Sequence, residues 1–566
     1  MGDVDSSAVE TVHGGILAAR ALQAAGIDTI FALPGGHILP VFEGARRHGI
    51  RVIDTRHEEG AVLSALGWAL ATGGPSVAAV TAGPGVTNAV PGIAECRAFG
   101  APVTVLAGKT AIRQQNRGAV QDLDQIRLVR PLTKWQQTCY APARIPDYVS
   151  EALYRARAGA PGPTFLDIPQ DVIGASIEPG EGPATFGYPD DPPRPGPPPG
   201  DLDRAVAMLD GADRPVILAG GGAHWAAAGE ALAEFSGRTG IPVTTTSSAR
   251  GLLPDDHPRC LGGLIHGGIA LASADVALVL GSAFNANLVY GGLPLFSPDG
   301  AVIQVDVRPE AVGGNRRPDL AIASDVRAFL EAAVGAWSRP AEELDEWTGK
   351  ARQGAATSLG NWEQQTESRT ERIHPGWLAR QVAAFAASLG PHTFVCDGGD
   401  SLVWGLAFGR ALGPGRHPYT GSALGTLGVG LPFVLAAKAA RPDEPAFLFT
   451  GDGSFGLTAM ELDTAVRHGL PVVVIVVNNG GWGDVRHEQR AMYGREADLG
   501  AVLSDLRYDL LAEAVGGHGE RVERPDDLEP ALRRAVDGDV PAVVNVRCDP
   551  EAVSELMRSL SQLDVM

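Results

Sequence analysis

A carboxylate and an amide that follow two apolar runs are the residues of this chain best suited to chemistry. Asp452 stands in a Gly-Asp-Gly turn after Ala-Phe-Leu-Phe-Thr, and Asn479 follows Val-Val-Val-Ile-Val-Val and Asn478. In a strand–helix–strand unit, Asp452 and Asn479 would lie at the carboxyl edge of a parallel sheet, where open α/β folds bind ligands. One carboxylate and one amide oxygen suit a hard divalent cation that completes its shell with water and phosphate oxygens.

The residues after Asp452 suit a diphosphate. Gly453 lets the backbone approach a phosphate closely, and Ser454 lies at the start of the next predicted helix, whose free N–H groups attract anions. The alternative is that Gly-Asp-Gly is only the turn of an ordinary crossover. Its combination with Asn478 and Asn479 between two apolar strands favours a metal–diphosphate site.

The elements that must position these residues are parallel sheets. Helical patterns alternate with short apolar strands along most of the chain, which predicts sheets covered by helices on both faces. We predict an α/β fold of three doubly wound parallel-sheet domains, at residues 1–187, 202–337 and 371–549.

Three further segments connect or follow these domains. Residues 188–201 are rich in proline and predict an extended linker that forms no helix. Residues 338–370 are polar and predict a surface helix with a connector. Residues 550–566 predict a short amphipathic helix, and the side chains expected on one side of it are Leu556, Met557 and Leu560.

Composition excludes several classes of function. The formal charge of −20 argues against a nucleic-acid partner, because phosphate backbones demand basic patches. No apolar run is long enough to span a bilayer, and the acidic N-terminus lacks the features of a signal peptide, so we expect no membrane and a cytoplasmic location. The five cysteines include no Cys-x-x-Cys pair, which excludes a recognisable zinc or disulfide framework.

Five segments together resemble the thiamine-diphosphate-dependent enzymes, in the branch of acetolactate synthase, oxalyl-CoA decarboxylase and 2-hydroxyacyl-CoA lyase. Besides the Asp452 motif, the matching segments are Phe-Ala-Leu-Pro-Gly-Gly-His (31–37), Arg-His-Glu-Glu-Gly-Ala-Val (56–62), Thr-Ala-Gly-Pro-Gly-Val-Thr-Asn (81–88), Arg-Pro-Val-Ile-Leu-Ala-Gly-Gly-Gly (214–222) and Ser-Ala-Leu-Gly-Thr-Leu-Gly (422–428). They occur in the family's order and extend over nearly the whole chain.

The resemblance implies thiamine diphosphate and Mg²⁺ as cofactors. The first domain would bind the pyrimidine and the third the diphosphate, and the metal ligands would be Asp452, Asn479 and the backbone oxygen of Gly481. In the family, the first domain of one chain faces the third domain of another, so we expect at least a homodimer and, further, a homotetramer. The cofactor-binding positions implied by the match are Gly35, Gly36, Glu58, Pro84, Asn88, Gly399, Asp400, Ser401, Gly425, Leu427, Gly453, Ser454 and Asn479.

Glu58 follows His57 as the catalytic glutamate of the family does. A carboxylate at the aminopyrimidine favours the tautomer that removes the C2 proton of the thiazolium, which is a general acid–base role. The alternative is that Glu58 and Glu59 are solvated charges at a helix start.

Leu427 and Gly425 match the residues that bend the cofactor and accept a hydrogen bond from its amino group. An acidic Asp400 is unexpected beside phosphate, so Ser401 is the stronger candidate of the two.

The substrate pocket is where the chain departs from acetolactate synthase. Asp484 and Glu488 stand where synthases carry Met and Trp, and Val120 stands where they carry Phe. Glu488 suits the acid that protonates a carbanion after C–C cleavage, and Gln121 matches a pocket glutamine. We therefore predict a lyase that cleaves a 2-hydroxyacyl-CoA, such as 2-hydroxyisobutyryl-CoA, to formyl-CoA and a ketone or aldehyde. The alternatives are an acetolactate synthase acting on pyruvate and, for Glu488, an exposed helix charge.

The middle domain lacks the arginine and acidic residues that follow the strand in flavin-binding synthases, so we expect no FAD. Asp306 and Arg308 suit the ribose and phosphates of an ADP or CoA moiety, or else this domain is purely structural. In CoA-using relatives a C-terminal segment closes over the site, which gives residues 550–566 a possible role as a lid.

Overall fold

The computed structural model describes residues 12–177, 187–189, 191–366, 372–419 and 422–560. By its internal contacts the chain forms two compact units, residues 1–69 with 74–193 and residues 70–73 with 194–566. The first unit contains one large sheet and the second contains two. The three predicted α/β sheets are therefore confirmed.

The first unit is a six-stranded parallel sheet with the order β3-β2-β4-β5-β7-β6, beside a short antiparallel pair of β1 and β8. Strands β4 and β5 are buried along their whole length, as expected for a parallel sheet with helices on both faces. Its strands are β1 (Val12–His13), β2 (Thr29–Ala32), β3 (Arg51–Asp54), β4 (Ser76–Val80), β5 (Val103–Lys109), β6 (Trp135–Thr138), β7 (Thr164–Pro169) and β8 (Ser176–Ile177). Its helices are α1 (Gly14–Ala24), α2 (Leu39–Arg47), α3 (Glu58–Thr72), α4 (Pro84–Phe99), α5 (Gln125–Val129), α6 (Ile145–Arg157) and α7 (Gln170–Ile173).

The second unit begins with a six-stranded parallel sheet of order β11-β10-β9-β12-β13-β14. Its strands are β9 (Pro215–Ala219), β10 (Val243–Thr245), β11 (Cys260–Gly263), β12 (Val276–Leu280), β13 (Ala301–Asp306) and β14 (Leu320–Ala323). Its helices are α8 (Pro199–Asp210), α9 (Gly221–Trp225), α10 (Gly229–Thr239), α11 (Leu264–Ser273) and α12 (Val326–Ala336), followed by the connecting helix α13 (Asp345–Gln365).

The third sheet has five parallel strands in the order β15-β16-β17-β19-β18. Its strands are β15 (Thr393–Asp397), β16 (Ala446–Gly451), β17 (Val473–Asn478), β18 (His518–Val522) and β19 (Ala542–Arg547). Its helices are α14 (Pro375–Ser388), α15 (Asp400–Phe408), α16 (Gly430–Ala440), α17 (Asp452–Thr458), α18 (Glu461–Arg467), α19 (Gly483–Tyr493), α20 (Tyr508–Ala514), α21 (Leu528–Asp537) and α22 (Glu555–Leu560). Short 3₁₀ segments lie at Ile112–Gln114, Arg130–Leu132, Pro142–Arg144, Ala286–Gly291, Pro309–Ala311, Ala341–Leu344 and Pro525–Asp527, and the one at Ala286–Gly291 is interrupted by a kink.

Helix α8 corrects the predicted linker. It begins at Pro199, so the last three residues of the stretch 188–201 are helical. Proline is well suited to the first turn of a helix, because its missing N–H would find no partner there. The prediction that this stretch forms no helix is therefore wrong at its end, and residue 190 lies outside the described residues.

The predicted surface helix between the second and third domains is present as α13, whereas the boundary at residues 370 and 371 lies outside the described residues. In the C-terminal helix Met557 is buried but Leu556 is exposed, so these two side chains do not share a buried side. The side chain of Leu560 and residues 561–566 lie outside the described part.

Two predictions from composition can be compared with the structure. All five cysteines are buried free thiols. Among the described residues, the helices include none that combines the length and the apolar character needed to cross a membrane.

Candidate active site

Asp452 and Asn479 lie together at the carboxyl edge of the third sheet. Asp452 begins α17 directly after β16, and Asn479 directly follows the neighbouring strand β17, where Gly451 pairs with Val477. The carboxylate of Asp452 accepts hydrogen bonds from the backbone N–H of Gly453 at 3.0 Å and of Gly481 at 3.1 Å. The strand–helix–strand pattern thus brings the two predicted metal ligands to one place.

The donor set at this edge fits a divalent cation. Asp452 is 1% exposed, and this burial raises the pKa of its carboxyl to about 6 although backbone N–H groups lower it. The side-chain oxygen of Asn479 is buried and has no hydrogen-bond partner among the described residues. A buried carboxylate and an unsatisfied amide oxygen are the ligands that Mg²⁺ prefers. Gly481 lies beside them, and its backbone oxygen as the third protein ligand stays a prediction.

A second loop approaches the same edge from β15. Gly398 has a φ of +116° and leads through Gly399 into α15, which begins at Asp400. The hydroxyl of Ser401 donates to the backbone oxygen of Asp397 at 2.9 Å. Asp400 is 7% exposed, and the imidazole Nδ1 of His487 lies 2.9 Å from its Oδ2. The acidic residue that was unexpected at a phosphate site therefore has a histidine against it.

In the first unit, Glu58 is held by Asn88. Glu58 begins α3 and is 7% exposed, and the amide nitrogen of Asn88 donates to its Oε2 at 3.0 Å. The alternative of a solvated charge is wrong, because burial removes Glu58 from water. Pro84 begins α4, and a Cβ placed on Gly85 would lie 3.6 Å from Glu58 Oε1, which puts this helix start beside the carboxylate.

Gly35 and Gln121 lie against Thr81, at the end of β4. A Cβ on Gly35 would fall 2.5 Å from Thr81 Cβ, and Thr81 Oγ1 lies 3.5 Å from Gln121 Oε1. Gln121 has a φ of +62°, a conformation rarely adopted outside glycine. Gly36 faces open space. The predicted residues of the first unit are thus gathered at one edge of its sheet.

Comparison with known proteins gives the same assignment for each part of the chain. Residues 12–128 match the thiamine pyrophosphate enzyme N-terminal TPP binding domain, residues 202–333 the central domain, and residues 397–546 the C-terminal TPP binding domain. The chain belongs to the thiamine-diphosphate-dependent enzyme family. The predicted family is therefore confirmed.

Several proteins similar to this chain are named acetolactate synthases. The chain is 37% identical over 554 residues to a probable acetolactate synthase of Mycobacterium bovis, covering 96% of this chain and 97% of that protein. It is 30% identical to a probable acetolactate synthase large subunit of Methanocaldococcus jannaschii, covering 94% and 91% of the two chains. It is also 30% identical to the acetolactate synthase isozyme 2 large subunit of Escherichia coli, covering 95% and 96%. These relatives support the alternative of a synthase better than the predicted CoA lyase.

A cavity of about 1090 Å³ adjoins the thiamine-diphosphate site of the third domain. It is lined by the predicted metal and diphosphate residues, by the start of α19, by middle-domain residues and by residues that follow the last strand. Leu427 and Gly425 also line it, and Gly425 has a φ of +67° with open space in front of it. Their roles toward the cofactor stay predictions.

Asp484 is a half-buried carboxylate in the wall of this cavity. Its pKa is raised to about 7, first by burial and then by the negative charges of Asp400 and Glu488, while His487 opposes the shift. Glu488, the residue predicted as the acid, is partly buried and is not among the described residues that line the cavity. The sequence drew attention to both positions, but it did not indicate which of them faces the cavity.

In the middle domain, Asp306 and Arg308 pair with each other. Asp306 ends β13 at 2% exposure, and its Oδ1 accepts from the backbone N–H of Arg308 at 2.8 Å and from its Nε at 3.2 Å. Neither residue is among the described residues that line the cavity. A nucleotide site at this pair stays a prediction.

Proposed function

We propose that the protein decarboxylates a 2-keto acid such as pyruvate and joins the acyl unit to a second carbonyl compound, as an acetolactate synthase does. The observation that carries this proposal is the similarity to proteins of that name along 96% of the chain. The buried Glu58 in one unit and the Asp452–Asn479 pair in the other support it, because both halves of the cofactor would find their predicted partners.

The chain's own residues have distinct parts in this proposal. Thiamine diphosphate, when bound, supplies an electron sink for the donor's carbonyl carbon. Glu58, kept from water and oriented by Asn88, would hold a proton at the pyrimidine ring. Asp452 and Asn479 would hold Mg²⁺ and, through it, the diphosphate. Asp484 would face the reacting part of the substrate from the cavity wall.

A 2-hydroxyacyl-CoA lyase is the second candidate, and one observation favours it. Asp484, with a pKa raised to about 7, lines a cavity that extends to the middle domain. A carboxyl that is partly protonated near neutral pH suits the donation of a proton after C–C cleavage. In this candidate the lyase acid is Asp484 in place of Glu488, and the acyl-CoA would occupy the cavity.

The decisive experiment offers both donors to the full chain with thiamine diphosphate and Mg²⁺. Pyruvate and 2-hydroxyisobutyryl-CoA are incubated in parallel, and acetolactate, CO₂ and formyl-CoA are quantified by mass spectrometry. Acetolactate with one CO₂ per product supports the synthase. Formyl-CoA from the thioester, without turnover of pyruvate, would overturn it and establish the lyase.

We also propose that the protein works as a homodimer or homotetramer. Large apolar side chains are exposed in the first unit, at Leu39 and Val120, and in the second unit, at Leu457 and Met460. Such side chains are available to pack against a second copy of the chain, as the family's arrangement would require. Sedimentation velocity of the holoenzyme tests this proposal, since a monomer at working concentration would contradict it.

A further inference from the structure

His487 connects two parts of the third domain that the sequence does not relate. It lies in α19, one turn after Asp484. Its Nδ1 lies 2.9 Å from Oδ2 of Asp400, the first residue of α15, and its Nε2 lies 3.1 Å from the backbone oxygen of Pro550. One imidazole ring thus contacts both Asp400, at the predicted diphosphate site, and Pro550, in the chain segment after the last strand.

The two ring nitrogens of His487 face different oxygen atoms. Nε2 is hydrogen-bonded to the backbone oxygen of Pro550, whereas Nδ1 lies at ion-pair distance from Asp400 Oδ2 without the alignment of a hydrogen bond. A carboxylate this close to a ring nitrogen favours the protonated, positively charged ring. Burial opposes protonation, but the Asp400 carboxylate overrides it and raises the pKa of His487. The ion-pair geometry and the neighbouring carboxylate therefore both favour the imidazolium.

Asp400 needs this cation if a diphosphate binds beside it. Both of its carboxylate oxygens are buried and have no aligned hydrogen bond among the described residues, and Asp400 lines the cavity. A charged Asp400 near a diphosphate would repel it, because like charges at short range are costly in a poorly solvated site. The imidazolium of His487 offsets this charge.

The same helix holds the C-terminal segment, defined here as residues 549–558. Arg486 donates to the backbone oxygen of Pro550 at 2.7 Å, and Arg490 Nη1 lies 2.8 and 2.9 Å from the two carboxylate oxygens of Glu551. Farther along the C-terminal segment, Leu556 and Met557 line the cavity. A displacement of His487 can therefore move the C-terminal segment and, with it, the side chains of Leu556 and Met557 in the wall of the cavity.

We propose that His487 is a positioning residue that neutralises Asp400 for the diphosphate and, through Pro550, couples cofactor binding to the C-terminal segment. The proposal rests on the binding of thiamine diphosphate by this chain, and it does not depend on which substrate the enzyme uses. A lid that closes independently could move without any change at the cofactor. Here the same imidazole ring contacts both Asp400 and Pro550, so the two events are linked. Occupancy of the diphosphate site strengthens the contact of His487 with Pro550, since an added anion favours the imidazolium, whose charged Nε2–H donates more strongly than that of a neutral ring.

The test measures binding of thiamine diphosphate with Mg²⁺ to the full chain by tryptophan fluorescence. We expect His487→Gln to raise the Kd at least about tenfold, because a charge-assisted contact is lost and Asp400 is left unpaired. Asp400→Asn alone should bind at least as tightly as wild type. The double variant D400N/H487Q should recover most of the lost affinity, because the carboxylate that needs neutralising is gone.

Hydrogen exchange of the C-terminal segment supplies the second readout. In wild type, thiamine diphosphate with Mg²⁺ should slow exchange in this segment, and in His487→Gln it should not. Arg490→Gln is the matched control on the same helix, because it removes the contact with Glu551 but keeps His487 and Pro550, so thiamine diphosphate with Mg²⁺ should still slow exchange in the segment.

An unchanged Kd in His487→Gln would overturn the proposal. So would a loss that Asp400→Asn does not rescue, or an Asp400→Asn variant that binds as weakly as His487→Gln. Since neither readout uses a substrate, failure here is distinguishable from failure of the proposed reaction.

Discussion

Glu58 is a carboxylate removed from water and oriented by one amide, that of Asn88. We expect Glu58→Gln to leave cofactor binding nearly intact, because the side chain keeps its length and an acceptor oxygen. Exchange of the thiamine C2 proton should slow by about 10²–10⁴-fold, the usual effect of a lost acid–base group. Proton NMR in D₂O measures this rate. Glu59→Gln is the neighbouring control, and an exchange rate in Glu58→Gln equal to that of the control would remove Glu58 from the mechanism.

Asp484 makes stability depend on pH in a defined direction. Its pKa is about 7 in the folded chain and 3.8 for an ordinary aspartate, so between these values the native state binds a proton that the unfolded state has lost. Stability from this group is therefore greatest at low pH and falls as pH rises toward 7. Asp484→Asn should raise the Tm of the cofactor-free protein most at and above pH 7, and least near pH 4. A constant difference in Tm across this range would contradict the assignment.

The position of a single functional residue can be predicted from the sequence when that residue lies within one short motif. Asp452, Asn479 and Glu58 could be predicted because each lies in a local pattern that fixes the end of a strand or the start of a helix. His487 could not, because its partners Asp400 and Pro550 are distant in sequence and follow β15 and β19, which the sheet order β15-β16-β17-β19 brings to the two sides of β17. The unusual Asp400 was the one available signal, since a buried acid at a phosphate site calls for a cation nearby.

Among the elements, α17 depends on Gly453 for its close approach to Trp482. A Cβ at Gly453 would lie 2.6 Å from Cε3 of Trp482, whereas a Cβ at Gly456, in the same helix, meets nothing within 4 Å. Gly453→Ala should lower the free energy of unfolding by about 1–3 kcal/mol through overpacking and weaken binding of thiamine diphosphate. Gly456→Ala should be neutral or stabilising by up to about 1 kcal/mol, because alanine favours helix. Urea titration measures the free energy of unfolding of both variants. Equal changes in Gly453→Ala and Gly456→Ala would refute the steric argument.

Elements differ in how well their sequence predicts them. Runs such as residues 472–477 are apolar throughout, so a buried parallel strand is the natural interpretation, and the structure has β17 there. Residues 199–201 were assigned to the linker because proline breaks helices in their interior, yet proline is favoured in the first turn. Local composition therefore predicts that a boundary exists more reliably than it predicts the residue at which a helix begins.

For the whole molecule, the central expectation is that one chain's first unit and another chain's third domain complete each site. Glu58→Gln and Asp452→Asn chains, carrying different tags, can be coexpressed and the mixed dimer isolated by both tags. A site shared between chains leaves the mixed dimer one intact site of two, so we expect about half the wild-type kcat while each parent homomer stays inactive.

The reciprocal dimer gives the opposite outcome and so controls for this interpretation. A chain carrying both substitutions, paired with a wild-type chain, places one defect in each shared site, and the mixed dimer should be inactive. If each site were instead built within one chain, the wild-type chain would keep its own site and about half the activity would survive. Activity in this second dimer and none in the first would refute the shared site, because the location of the two defects is the only difference between them.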